Sequence, residues 1–275
     1  MSQFNNILND LISHKHEEVR RKRTQRPIGE LEAAGRGRRP ALSLAQVLAP
    51  PGTWLIAEVK RQSLMQEAYR ADFVPEQLAR LYAEHGAVAI SILVDEIYFG
   101  GSPKVVEEVA SAVGGVIPLI YKEFIIDPYQ VAEAYALGAD AVLIIARPPT
   151  DPAALRESIS YAHALGMDTM VEIFTAEGAS EALAAGARVI GVNNREYPKT
   201  TINIERGAQI RATLPPGTLS VSETGLKSPD DVRRARQHGY NGVLIGEAIL
   251  TAPDVAAKVR ELSEAGRAAA TAATE

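Results

Sequence analysis

Ile56-Ala57-Glu58-Val59-Lys60 is a short apolar run closed by charges, and the same pattern returns along the chain. It recurs as Leu119-Ile120-Tyr121-Lys122, Met170-Val171-Glu172, Val189-Ile190-Gly191-Val192-Asn193 and Leu219-Ser220-Val221-Ser222-Glu223. Runs of this length rich in Val, Ile and Leu read as buried parallel strands. A charge inside such a run is costly unless it points into a polar site. Further strands are expected at Val88–Val94, Ala141–Ile145 and Gly242–Ile245. Eight strands that deliver Lys, Glu and Asn at their C-terminal ends describe a (β/α)8 barrel with one active site assembled from many loops.

The segments between the strands carry helix signals. Ser102-Pro103, Asp127-Pro128 and Ser228-Pro229 each put a capping side chain before a proline suited to a first helical turn. Ala136-Leu137-Gly138-Ala139-Asp140-Ala141-Val142 reads as helix, glycine stop, then strand, and so do the stretches around Gly186 and Gly239. This punctuation favours a closed barrel over an open doubly wound sheet. The glycine-containing stretches 222–225 and 242–246 fall where a barrel holds a phosphate after its seventh and eighth strands.

Ahead of the barrel, Phe4, Ile7, Leu8, Leu11 and Ile12 follow helical spacing. A linker is expected from Gly35 to Pro40 and a short helix from Ser43 to Leu48. The division is therefore 1–50 as an N-terminal helical extension packing on the barrel, 51–265 as the barrel, and 266–275 as a frayed Ala-, Glu- and Thr-rich tail. The chain's 275 residues suit one large domain. The net charge of −5 hides an asymmetry: residues 1–40 hold nine Lys/Arg against five Asp/Glu, and the rest is strongly acidic. Arg20-Arg21-Lys22-Arg23 and Arg36-Gly37-Arg38-Arg39 lack interleaved aromatics, so a solvated helix face and a flexible connector are expected rather than a nucleic-acid site. With no cysteine, disulfides, thiolate nucleophiles and zinc-thiolate sites are excluded. No apolar stretch reaches membrane-spanning length and no secretory pattern opens the chain, so a cytoplasmic protein is expected.

Among the polar residues, Lys122 closes an apolar strand, where burial lowers a lysine's pKa and suits it to act as an acid. Glu58 and Lys60 are i and i+2 on one strand and face the same side. If that side is the lumen, they pair at its mouth; two unit charges about 4 Å apart gain roughly 4 kcal/mol at an effective dielectric near 20. Burial in an apolar mouth favours the neutral form of a carboxylate, which suits Glu172 to general-base work. Asn193 and Glu223 close the sixth and seventh strands.

These residues, in this order, resemble the indole-3-glycerol phosphate synthase family. The resemblance is carried by Ala57-Glu58-Val59-Lys60-Arg61-Gln62-Ser63, Tyr98-Phe99-Gly100-Gly101-Ser102, Lys122-Glu123-Phe124-Ile125 and Val171-Glu172-Ile173. Gly191-Val192-Asn193-Asn194-Arg195, Ser222-Glu223-Thr224-Gly225 and Leu244-Ile245-Gly246-Glu247 extend it, and His16-Glu17-Glu18-Val19 and Pro27-Ile28-Gly29-Glu30-Leu31 resemble that family's N-terminal extension. The family closes an indole ring on an anthranilate-bearing ribulose phosphate, releasing carbon dioxide and water. The resemblance implies Lys122 as general acid, Lys60 as carboxylate holder and second proton donor, and Glu172 as base for dehydration. It implies Glu58, Asn193 and Glu223 as the residues that hold the lysines and substrate hydroxyls. Ser63, Phe99, Phe124, Arg195, Thr224, Gly225, Gly246 and Glu247 are the implied substrate-binding residues. Of these, Phe99 and Phe124 wall the aromatic ring, and backbone amides at 224–225 and 246–247 cradle the phosphate.

Such chemistry asks for acids, a base and preorganised charge, with no cofactor or metal. A small phosphorylated molecule is the expected partner, with no nucleic acid or membrane, and a monomer is expected. The chain departs from the family at three loops. The family's Ser-Pro-Ser-x-Gly is Ser63-Leu64-Met65-Gln66-Glu67 here, its Asn-Arg-Asp-Leu is Asn194-Arg195-Glu196-Tyr197 followed by Pro198, and its Ser-Glu-Ser-Gly is Ser222-Glu223-Thr224-Gly225. The alternatives are a paralogous barrel enzyme on another phosphorylated substrate, a Schiff-base aldolase using Lys122, and a ligand-binding pseudoenzyme or basic-arm interaction protein. A phosphoribosylanthranilate isomerase is disfavoured by the missing cysteine base.

Overall fold

The computed structural model describes residues 3–267 except 64–65, 67, 147–150 and 197–200. Three helices come first: α1 (Gln3–Gln25), α2 (Ile28–Gly35) and α3 (Leu44–Leu48). Strands and helices then alternate as β1 (Trp54–Val59), α4 (Pro75–Glu84), β2 (Ala89–Leu93), α5 (Glu96–Phe99), α6 (Pro103–Val113), β3 (Leu119–Lys122), α7 (Pro128–Ala136), β4 (Ala141–Ile145) and α8 (Pro152–Ala164). They continue as β5 (Asp168–Ile173), α9 (Ala176–Ala184), β6 (Val189–Asn193), α10 (Ile204–Ala212), β7 (Leu219–Glu223), α11 (Pro229–Gln237), β8 (Gly242–Ile245), α12 (Glu247–Leu250) and α13 (Val255–Arg267). Every neighbouring strand pair is parallel, and β8 returns to β1, so the sheet is a closed eight-stranded barrel. The expected (β/α)8 architecture is what forms.

Strand alternation sorts the side chains into two layers. One set points inward: Ile56, Ala89, Ile120, Ala141, Leu143, Met170, Val189, Val221 and Leu244 fill the lumen. Their neighbours Leu55, Ala57, Val59, Tyr121, Val171, Ile173, Ile190 and Val192 pack outward against the helices. The inward parity of β1 runs on from Ile56 to Glu58, of β3 from Ile120 to Lys122, and of β5 from Met170 to Glu172. The charged residues are the lumen's top layer.

The bottom is plugged by α3. Ser43 caps it by accepting from the Gln46 amide, and fully buried Leu44 and Leu48 join the lumen cluster. Burying a leucine in this way stabilises by about 1.5–3 kcal/mol. Arg39 grips the buried Asp140 with two hydrogen bonds of 2.8 and 2.9 Å, and Arg38 donates to the carbonyls of Tyr135 and Ala139. The segment expected to be a flexible connector is thus fastened, because Asp140 at the foot of β4 needs a counter-charge. Of the basic run on α1, Arg20, Arg21 and Arg23 are exposed as expected of a solvated face, whereas Lys22, with Lys15 and Glu18 at i−7 and i−4, turns to the barrel, where Lys15 pairs with Glu123 and Lys22 with Glu133.

Other expectations shift in detail. Helix α2 is additional to the two helices expected before the barrel, and Ser102 makes no side-chain cap at α6, whereas Asp127 and Ser228 do cap. The tail expected to fray from 266 is helical through Arg267: Gly266 is buried and accepts from the Thr53 amide, so its backbone is committed. The apolar side chains Phe4, Ile7 and Leu8, the loop residues Leu64, Met65, Glu67, Tyr197 and Pro198, and the tail residues 268–275 lie outside the described residues. Among the described residues no helix is long and apolar enough to cross a membrane.

Candidate active site

All six polar residues expected at the strand ends meet at the C-terminal mouth. Lys122 Nζ lies 3.1 Å from Glu58 Oε1, 3.5 Å from Glu223 Oε2 and 4.0 Å from Glu172 Oε2. Lys60, one residue past β1, pairs with the other Glu58 oxygen at 2.6 Å and lies over the Tyr69 ring at 5.2 Å. Asn193 donates to Glu172 at 2.8 Å and accepts from the Arg195 amide, which orients the carboxamide. The pairings follow the sheet register, in which Glu172 lies beside Gly191 and Asn193 beside Glu223.

Three carboxylates surround two lysines, and the electrostatics follow from that ratio. Burial acts to lower the Lys122 pKa, but Glu58, Glu223 and Glu172 outweigh it and hold the ammonium above its ordinary range. The expected downward shift is therefore reversed: three anions exceed the desolvation of one cation. Burial opposes the charge of Glu58 as well, yet Lys122 and Lys60 bring its carboxyl down to about 2. Glu223 goes the other way. Burial first, then the neighbouring charge of Glu172, push it well above the carboxylate range. Glu223 is thus driven towards its neutral form beside a protonated lysine.

Two glycines make the crowding possible. A Cβ on Gly191 would sit 2.0 Å from Glu223 Oε1, and one on Gly246 would sit 2.4 Å from Glu58 Oε2. A glycine inside a strand marks such a close approach, a signal that could have singled out Gly191. Gly246 was expected to offer only its amide.

The binding residues take up the rim. Phe99 at the end of α5 and Phe124 after β3 have ring centroids 6.1 Å apart, tilted by 34°. Ser63 and Gln66 exchange backbone hydrogen bonds of 2.8 and 3.2 Å across the first loop. Arg195 follows Asn193 and bridges to Ile202. Thr224 has φ +70°, a conformation few non-glycine residues adopt, and Gly225 follows with φ +89°. Asn194, absent from the expected set, sustains that turn: fully buried, it donates to the Thr224 carbonyl at 2.9 Å and to Ser222 Oγ at 3.1 Å. Gly246 opens α12 without a side-chain cap, and the exposed Glu247 side chain pairs with Lys227 at 3.3 Å. Among the described residues no group of three or more His, Asp or Glu could hold a metal ion.

Comparison with known proteins shows the family to which the chain is similar. A family model described as indole-3-glycerol phosphate synthase matches residues 8–262. A protein of that name from Roseiflexus sp. (strain RS-1) is 41% identical over 263 residues, covering 93% of this chain and 97% of its own length. Another from Salinibacter ruber is 38% identical over 247 residues, covering 90% and 91%. Among solved structures, 3-hexulose-6-phosphate synthase from Salmonella typhimurium superimposes with a TM-score of 0.62 at 16% identity, covering 78% of this chain and 98% of that one. Thiamine phosphate pyrophosphorylase from Pyrococcus furiosus gives 0.60 at 18%, covering 81% and 97%. These two likenesses speak for the barrel alone.

Proposed function

The chain belongs to the indole-3-glycerol phosphate synthase family, and on that premise we propose how the side chains at its barrel mouth divide the reaction. The enzyme is a carboxy-lyase of tryptophan biosynthesis. It closes the indole ring of 1-(2-carboxyphenylamino)-1-deoxyribulose 5-phosphate, releasing carbon dioxide and water. Lys122 is the general acid. As the carboxylate-bearing ring carbon attacks the ketone carbon, the ketone oxygen gathers negative charge and takes the Lys122 proton. The new carbon–carbon bond interrupts the ring's aromaticity, and loss of the carboxylate as carbon dioxide returns the electron pair to the ring. Dehydration then expels the former ketone oxygen as water. Lys60 supplies the proton for that step, and Glu172 removes the proton whose loss completes the indole double bond. Glu172 hands the proton it has taken back to Lys122, and a proton from solvent restores Lys60, so that one turnover takes up one proton as the carboxylate leaves as carbon dioxide.

Glu58 anchors both lysines, Asn193 orients Glu172, and Glu223 meets the substrate hydroxyls. Phe99 and Phe124 wall the aromatic ring, Ser63 and Arg195 line the rim, and the turns at Thr224-Gly225 and Gly246-Glu247 take the phosphate. The carrying observation is the Lys122 ammonium held within 4.0 Å of three carboxylates at the open end of the barrel. A preorganised cation there meets the charge that develops only in the transition state. The enzyme is proposed to act as a cytoplasmic monomer without nucleic-acid partners, since one chain supplies every residue of the mouth. Indole-product fluorescence after mixing with the ribulose phosphate substrate tests the assignment. Turnover abolished by Lys122→Ala is expected; turnover that survives the substitution would remove Lys122 from its role.

A further inference from the structure

Lys15 is buried to 2% exposure and stands outside the catalytic set. Its ammonium on α1 lies 2.9 Å from Asp95 Oδ2, 2.9 Å from Glu123 Oε2 and 2.8 Å from Glu18 Oε2. Asp95 and Glu123 each divide their two oxygens in the same way. The second oxygen of Asp95 caps α5, accepting from the amides of Tyr98 and Phe99 at 2.6 and 3.2 Å. The second oxygen of Glu123 accepts from the Phe124 amide at 2.7 Å. One ammonium is thus tied, through two carboxylates, to the backbone of both rings in the 6.1 Å pair.

Strand parity explains why the tie can exist. Lys122 points into the lumen, so Glu123 after it points outward, where α1 packs. Glu18 shares its charge with Lys22, which in turn pairs with Glu133. Asp95 and Glu123 therefore lean on Lys15 as their common cation.

We propose that Lys15 is a positioning residue that sets the separation and tilt of Phe99 and Phe124, so that the N-terminal extension holds the slot for the substrate's aromatic ring. The inference rests on the reading of those two rings as the walls of the aromatic-ring site. Its chemistry is mechanical: without the ammonium, two buried carboxylates repel, and each carries a phenylalanine amide with it.

Two variants and two readouts test it. Lys15→Met removes the bridge; Asp95→Asn keeps an N-cap side chain on α5 while weakening the bridge, and carries the test should the first variant fail to fold. KM for the ribulose phosphate substrate is expected to rise about tenfold in Lys15→Met, and less in Asp95→Asn, with kcat changing far less. Lys15→Arg is expected to recover part of the loss. Protein labelled with para-fluorophenylalanine reports the rings directly by fluorine NMR. The Phe99 and Phe124 resonances are expected to move in both variants while those of Phe73 and Phe174 stay. Unmoved Phe99 and Phe124 resonances overturn the inference whether or not the protein turns over substrate. A lowered melting temperature with unchanged KM does the same.

Discussion

The two ends of the barrel bury charge in opposite ways. At the N-terminal end each carboxylate has a full set of donors. Asp140 takes two hydrogen bonds from Arg39 and one each from the amides of Leu42 and Leu119. Asp168 takes Ser43, the Ala45 amide and Arg188. Burial opposes its charge, but the Ala45 amide and Arg188 hold its pKa below the ordinary value. At the C-terminal end three carboxylates share two lysines, one of the three is driven towards its neutral form, and Glu223 Oε1 has no hydrogen-bond partner among the described residues. The lower end spends its donors on a fixed structure. The upper end leaves charge and hydrogen-bonding capacity for a substrate.

Breaking each end should therefore cost different things. Lys122→Met is expected to lower kcat by about 10³-fold, within the range for loss of a general acid, and also to lower the melting temperature, because Glu58, Glu172 and Glu223 lose a shared cation. Steady-state kinetics alongside circular dichroism melts would check it. Asp140→Asn is the reverse case. It leaves Arg39 facing a neutral partner and should destabilise by about 3 kcal/mol in denaturant titration, with kcat per folded molecule unchanged.

Acid sharpens the contrast. The Glu58 carboxyl sits at about 2 against an ordinary value of 4.5, so its stabilisation is complete above about 4.5 and is lost as pH falls towards 2. Asp168 acts in the same direction. Glu58→Gln and Asp168→Asn should each flatten the acid limb of melting temperature against pH; an unchanged limb in either would remove that carboxylate from the account. Glu123 has the opposite sign. Burial and Asp95 outweigh Lys15 and bring it up to about 7, while Glu18 on α1 and Tyr121 on β3 lie nearby. The native state gains a proton there between about 7 and 4.5, so stability from this group declines as pH rises through 7. The smallest effect is expected from Glu223→Gln. An amide imitates a carboxyl already held neutral, so stability at pH 7 should change by less than about 1 kcal/mol.

Much of this was legible in the chain. Eight apolar runs, glycine stops and proline-marked helix starts point to a barrel, and the charges that close the runs point to its mouth. Glu58, Lys60, Lys122, Glu172, Asn193 and Glu223 announce themselves because a charge at the end of a buried strand must have a destination. Asn194, Gly246 and Lys15 announce nothing. Asn194 reads as loop polarity, Gly246 as a phosphate-loop amide, and Lys15 as one more charge on a basic helix.

The sequence by itself determined the strand count and which residues share a face on each strand, and so the candidates for the mouth, because period-two alternation is local; which face is the lumen came with closure of the sheet. Only the tertiary structure decided what those charges do to one another. Whether burial or a neighbouring anion governs Lys122, which carboxyl holds the proton, and which buried lysine reaches two phenylalanine amides depend on distances across the barrel. Those distances join residues from different elements, 50 to 108 positions apart in the chain, and closure of β8 onto β1 sets them.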